Sequence, residues 1–178
     1  TQAMLIANGI ACQLIGCVFG IMTMLAVFAL TRRYFGLVAG LMSAAIFYSL
    51  PLTTELSTGA MVEFGATFCV VLGLWALLKA GHDFDTRWML LAGVLGGCAG
   101  ATKLWALMSG PAFVVIIFVL AGRCFFEHPR NILHPLLVFS LAYGVILAPW
   151  FIRNYLASGN PLWPMGYSFF DTQYWSEV

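Results

Sequence analysis

Residues 88–122 read WMLLAGVLGGCAGATKLWALMSGPAFVVIIFVLAG, and this stretch decides the fold. Its only charged residue is Lys103. A membrane-spanning helix needs about 20 predominantly apolar residues, within a range of about 17–25, so the stretch is too long for one span. We therefore divide it at Thr102-Lys103 into two spans, near residues 88–101 and 104–122.

The composition of the whole chain agrees with a membrane protein. The 178 residues are 62% hydrophobic and 8% charged, with a mean hydropathy of +0.94. A soluble domain carries about 25% charged residues, so a soluble fold, a disordered tail and a nucleic-acid binder are excluded as classes. Long unbroken apolar runs favour helices over the short alternating segments of a β-barrel. The predicted fold is all-α, a polytopic transmembrane helical bundle of about six spans.

Outward from the central stretch, apolar runs are stopped by short polar segments. Residues 1–152 are expected to form the bundle and residues 153–178 an aromatic, proline-rich segment that lies in the interface of the outer face. The six spans are predicted near residues 10–30, 35–50, 59–78, 88–101, 104–122 and 132–152.

Basic residues predict the orientation of these spans, because cytoplasmic loops carry an excess of Lys and Arg. Six alternating spans place three basic segments on one side, which we assign to the cytoplasm: Arg32 with Arg33, Lys79–Arg87 and Arg123–Arg130. Lys103 and Arg153 then lie on the outer face. This count gives six basic residues inside and two outside.

Ionisable residues inside spans are expensive and therefore informative. Glu63 follows Glu55 by eight residues, which places both on one helix face if a single helix begins near Thr54. Glu63 would then lie roughly 13 Å along that helix. Two interpretations remain open: a carboxylate that lines a water-filled cavity open to the outer face, or a structural Glu that is protonated or paired between helices.

Lys103 is the second such residue, between Thr102 and Leu104. One interpretation is a helix-end lysine that snorkels to the interface. The other is an outer-face cation that meets an anionic group such as a lipid phosphate.

Arg153 follows the last span and could bind a phosphate with both arms of its guanidinium. The alternative is an ordinary interface anchor. The prolines and Asn160 in residues 149–164 predict a turn-rich path along the membrane surface.

The five cysteines have no metal-ligand spacing and are interpreted as apolar filling, so neither a metal nor a cofactor is expected.

Three segments together resemble a known class of membrane enzymes. They are APWFIRN (148–154) with SGNPLWP (158–164), AGVLGGCAGATK (92–103), and the stretch from Pro51 to Glu63. In their order and spacing they are similar to the C-type-fold integral membrane glycosyltransferases, which include protein O-mannosyltransferases and lipid A aminoarabinose transferases.

The resemblance implies transfer of a sugar from a polyprenyl-phosphate donor to an acceptor on the outer face, by a single inverting displacement. It implies a substrate site lined by Glu55, Glu63, Lys103, Arg153, Asn154 and Asn160, with Lys103 and Arg153 on the carrier phosphate. It also implies a bacterial inner membrane. The family's catalytic carboxylate lies in a first outer loop, so we expect that the chain is a fragment, with this residue before Thr1.

A rival interpretation is a non-catalytic transmembrane subunit that keeps the scaffold and binds other membrane subunits. A transporter is a third, weaker one, because it rests on Glu63 alone.

Overall fold

A computed structural model describes residues 9–58, 62–122, 130–163, 165 and 170, and within these residues the chain is helical without strands. The all-α prediction is confirmed. The elements are α1 (Gly9–Phe35), α2 (Leu37–Ser49), α3 (Pro51–Thr58), α4 (Glu63–Ala80), α5 (Thr86–Thr102), a 3-10 helix (Leu104–Met108), α6 (Ser109–Ala121) and α7 (Arg130–Ser158).

Four stretches of the described chain are long and apolar enough to cross a membrane: Gln13–Phe35, Glu63–Ala80, Leu104–Ala121 and Ile132–Ser158. A fifth is counted if α2 and α3, bent by 71° at their junction, act as one broken span. The helix α5 has 17 residues, about 25 Å at 1.5 Å per residue. The described residues therefore contain four or five spans that are long and apolar enough to cross a membrane, with α5 as a shorter helix beside them, against the approximately six spans predicted.

The core forms where α5 packs between α4 and α7. Glycines along α5 let the backbones approach closely, as is common between membrane helices. A β-carbon at Gly93 would lie 2.5 Å from the Phe139 carbonyl oxygen, and one at Gly97 would lie 2.9 Å from the Tyr143 carbonyl oxygen. Because Gly93 faces Phe139 and Gly100 faces Leu147, α5 and α7 run in the same direction.

The ends of the central helices have local causes. α4 ends at Ala80, and the next residue, Gly81, has a φ of 62° that suits a residue without a β-carbon. The carboxylate of Asp85 accepts a hydrogen bond from the Arg87 backbone N–H at 2.9 Å and caps α5. His82 Nδ1 lies 2.7 Å from the Leu120 carbonyl oxygen and joins this turn to α6.

The last helix is longer than the sequence indicated. We expected the span to end at Ile152 and the interfacial segment to begin at Arg153, whereas α7 continues to Ser158 with Pro135 and Pro149 inside it. Prolines are tolerated in membrane helices because neighbouring groups satisfy the freed carbonyls. Arg153 and Asn154 are therefore helical residues.

The packing of α1 bears on the predicted topology. The Phe19 ring contacts the Phe68 ring, and Thr23 Oγ1 lies 3.3 Å from the Phe64 carbonyl oxygen, so α1 and α4 make contact in antiparallel order. Six alternating spans would make these two helices parallel. Arg32 and Lys79 lie in the last turns of α1 and α4, so antiparallel packing does not support placing both on one side of the membrane. The assignment of loops to sides stays a prediction.

Candidate functional site

Lys103 lies where α5 stops. Its backbone is extended, with φ −148° and ψ 132°, while its N–H still donates to the Ala99 carbonyl oxygen at 3.1 Å. Its own carbonyl then accepts from the Ala106 N–H at 2.9 Å and begins the 3-10 helix. This single extended residue separates the two helical segments, as the division of the apolar stretch predicted.

Glu63 is the first residue of α4 and forms an ion pair with Lys103. The Lys103 ammonium donates a hydrogen bond to Glu63 Oε1. The Lys103 side chain is 38% exposed and that of Glu63 is 24% exposed, so the pair lies at the edge of the protein rather than inside it. The structure brings together two residues that the sequence analysis singled out separately.

The predicted relation between Glu55 and Glu63 is wrong. They do not share a helix, because Glu55 lies in α3, which ends at Thr58, and α4 begins at Glu63. Glu63 is thus at a helix start and not about 13 Å along a helix from Thr54. Glu55 is exposed on α3.

The ion pair lines an open cavity of about 430 Å³. Glu63 Oε2 is buried and has no hydrogen-bond partner in the described part of the chain. Both earlier interpretations of Glu63 therefore describe part of what is seen, since it is paired between helices and also lines a cavity. The wall residues are Glu63, Ala66, Thr67, Val70, Lys103, Trp105 and Ala106.

Two wall residues with polar side-chain groups were not predicted from the sequence. Thr67 follows Glu63 by one helical turn, and its hydroxyl donates to the Glu63 carbonyl oxygen at 2.9 Å. Trp105 follows Lys103 by two residues and is 72% exposed. Their distances along the chain from Glu63 and Lys103 were the signal that could have identified them.

The residues after the last predicted span have different roles in the structure. Arg153 is exposed on α7 and has no ion-pair partner within the described ranges. Because Leu147 of α7 lies beside Gly100 of α5, Arg153 is at the same end of the bundle as Lys103. Its proximity to the carrier phosphate stays a prediction.

Asn154 and Asn160 hold the turn that follows α7. Asn160 is fully buried. Its carboxamide accepts from the Leu162 N–H at 2.8 Å and donates to the Met165 carbonyl oxygen at 2.6 Å. Asn154 Nδ2 lies 3.4 Å from the carbonyl oxygens of Pro161 and Trp163. These contacts are structural, and binding of substrate by either amide stays a prediction.

The family profile described as dolichyl-phosphate-mannose-protein mannosyltransferase matches residues 3–152. The chain belongs to this mannosyltransferase family. The match covers most of the chain, including Glu63 and Lys103, and it ends before Arg153. Comparison with curated proteins and with solved structures gave no significant match.

Membership of the mannosyltransferase family confirms the resemblance to C-type-fold glycosyltransferases. Together with the apolar helices, it makes the chain an integral membrane protein of the glycosyltransferase class. Among the described residues, no three His, Cys, Asp or Glu side chains lie close enough together to hold a metal ion. The wall residues of the cavity that carry polar side-chain groups are Glu63, Thr67, Lys103 and Trp105.

Proposed function

We propose that the protein is a membrane mannosyltransferase that takes mannose from a polyprenyl-phosphate carrier and passes it to a hydroxyl acceptor at the outer face. The observation that supports this most is the Lys103 ammonium in an open cavity at one end of a bundle of apolar helices. A lipid-linked donor carries a phosphate beneath a sugar and above a long apolar chain. A cation at the end of the helices can contact that phosphate while the apolar chain of the donor stays in the lipid.

Transfer requires the acceptor oxygen to attack the anomeric carbon while the bond from that carbon to the phosphate oxygen breaks. A carboxylate takes the proton of the acceptor, and cations stabilise the charge that develops on the departing polyprenyl phosphate. In the proposal, Lys103 has the second role, and Arg153 at the same end of the bundle assists it. Glu63 lines the cavity and holds Lys103 when the donor is absent.

Binding of the carrier by the full chain in lipid nanodiscs tests the role of Lys103. A ligand that binds only the folded state raises the melting temperature Tm, by the equivalent of about 2.7 kcal/mol at a concentration of 100 Kd. We expect polyprenyl phosphate to raise Tm and polyprenol, which lacks the phosphate, to leave it unchanged. Lys103→Met keeps the apolar stem but removes the charge, and it should weaken binding roughly ten- to hundredfold.

Arg87→Ala is the matched control, because Arg87 is an exposed cation at the other end of α5. It should bind polyprenyl phosphate like the wild type. Equal affinity of Lys103→Met and wild type would remove Lys103 from the site. Transfer is then measured with a radiolabelled mannosyl carrier in membranes that contain the acceptors. Binding without any transfer by the full-length protein would refute the mannosyltransferase activity and favour the non-catalytic subunit.

A further inference from the structure

A second cavity, of about 280 Å³, lies between α4 and α5 near their connecting turn. Its wall is formed by Leu72, Trp75, Ala76 and Lys79 of α4 with Trp88, Leu91 and Leu95 of α5. The α4 residues are spaced i, i+3, i+4 and i+7, and the α5 residues i, i+3 and i+7, so each helix contributes one stripe. The cavity is therefore a groove that runs along the helix axes for about 10 Å, from Leu72 to Lys79.

The groove is apolar along its length and cationic at one end. The Lys79 ammonium lies 4.3 Å from the centre of the Trp88 ring, a cation–π contact that holds it at the rim. Lys79 has no carboxylate partner among the described residues, and its side chain is exposed. The turn carries two acidic residues, Asp83 and Asp85. Neither forms an ion pair with Lys79, and Asp85 caps α5 through the Arg87 N–H.

We propose that this groove binds one anionic phospholipid, with an acyl chain along the two stripes and the phosphate at Lys79. Basic pockets between membrane helices bind lipid headgroups of this charge. The apolar wall of the groove suits an acyl chain, and the exposed Lys79 ammonium at its rim is complementary in charge to the phosphate of an anionic lipid.

The lipid site is separate from the cavity at Glu63 and does not depend on the proposed transferase activity. Glu63 and Lys79 are at opposite ends of α4, about 24 Å apart at 1.5 Å per residue. The groove therefore takes a lipid that stays with the protein, while the other cavity takes the substrate.

Native mass spectrometry of the full chain in detergent tests this assignment by titration with dioleoyl phosphatidylglycerol or dioleoyl phosphatidylcholine. The two lipids have the same acyl chains and differ in headgroup charge. We expect the wild type to bind the anionic lipid about fivefold more tightly, as one lysine near the headgroup provides. Lys79→Met should remove this preference, and Lys79→Arg should retain it.

A second pair of variants tests the position of the acyl chain. Leu91 lines the groove and is 40% exposed, so Leu91→Trp fills the groove without entering the core, and it should weaken binding of both lipids. Leu90→Trp is the matched control, because Leu90 is 52% exposed and is not part of the wall. It should bind both lipids like the wild type. Circular dichroism confirms that each variant is folded.

Three results would overturn the proposal. The first is that the wild type binds the two lipids equally, or that Lys79→Met keeps the preference of the wild type for the anionic lipid. The second is displacement of the anionic lipid by millimolar inorganic phosphate, which would indicate a site for free anions. The third is tighter, Lys79-dependent binding of polyprenyl phosphate than of phosphatidylglycerol, which would assign the groove to the substrate carrier.

Discussion

The substitution Gly93→Ala tests whether α5 and α7 are held together by backbone contact. A β-carbon at this position would lie 2.5 Å from the Phe139 carbonyl oxygen and 2.8 Å from Ala142 Cβ. Favourable contacts between carbon atoms lie at about 3.5–4.0 Å, so the helices must separate by about 1 Å. Overpacking of this kind costs about 1–3 kcal/mol. We expect a value near the upper end, because one of the opposing atoms is backbone and cannot rotate away.

Alanine also gains about 0.5–1 kcal/mol over glycine from helix propensity. The net loss of unfolding free energy for Gly93→Ala is therefore about 2 kcal/mol. Gly144→Ala on α7 is the matched control, because no heavy atom lies within 4 Å of its added β-carbon. That variant should be as stable as the wild type or slightly more stable.

The assay is unfolding of the purified protein by SDS in mixed micelles, followed by circular dichroism and tryptophan fluorescence. Gly93→Ala should unfold at a lower SDS fraction than wild type, and Gly144→Ala should not. If the two alanine variants have the same midpoint, then the helices are not in backbone contact at Gly93, and the packing described for α5 is refuted.

Other contacts give further expected outcomes. Replacing both Lys103 and Glu63 by neutral residues should lower the free energy of unfolding by less than the sum of the two single replacements. We expect a difference of about 0.5–1 kcal/mol in a double-mutant cycle of SDS unfolding. Additive losses would show that the ion pair does not contribute to stability. Tyr143→Phe removes the hydrogen bond to the Leu107 carbonyl oxygen at 2.8 Å and should lower the unfolding free energy by about 1 kcal/mol, whereas an unchanged midpoint would contradict this. Asn160→Ala removes the acceptor of the Leu162 N–H, so limited proteolysis after α7 should become faster; an unchanged cleavage rate would refute the structural role of this amide.

Much of the helical arrangement could be predicted from the sequence. The division at Lys103 was predictable because one charged residue interrupts a stretch too long for a single span. The observed division is close to the predicted one, because α5 ends at Thr102 and the next helical segment begins at Leu104. The end of α7 was not predictable from Pro149 alone, since a proline in lipid is tolerated when neighbouring groups satisfy its freed carbonyl.

The candidate site was predictable residue by residue but not as an arrangement. Glu63 and Lys103 each attract attention as charges in apolar surroundings. Their pairing depends on how α4 and α5 align, and 40 residues of sequence separate them. The antiparallel contact of α1 with α4 was also missed, because a count of basic residues predicts a side for each loop but does not indicate which helices touch or in which direction they run.

The shortness of α5 gives the bundle an uneven thickness. The central helix has 17 residues and the neighbouring α7 has 29, or about 25 Å against about 43 Å, while the hydrocarbon core of a bilayer is about 30 Å thick. At this length α5 lies at the lower end of the range that crosses a bilayer, so the lipid beside its end is expected to thin or to bring its headgroups inward. Lys103 follows α5 directly, so its ammonium can meet headgroups and water without leaving the helical bundle.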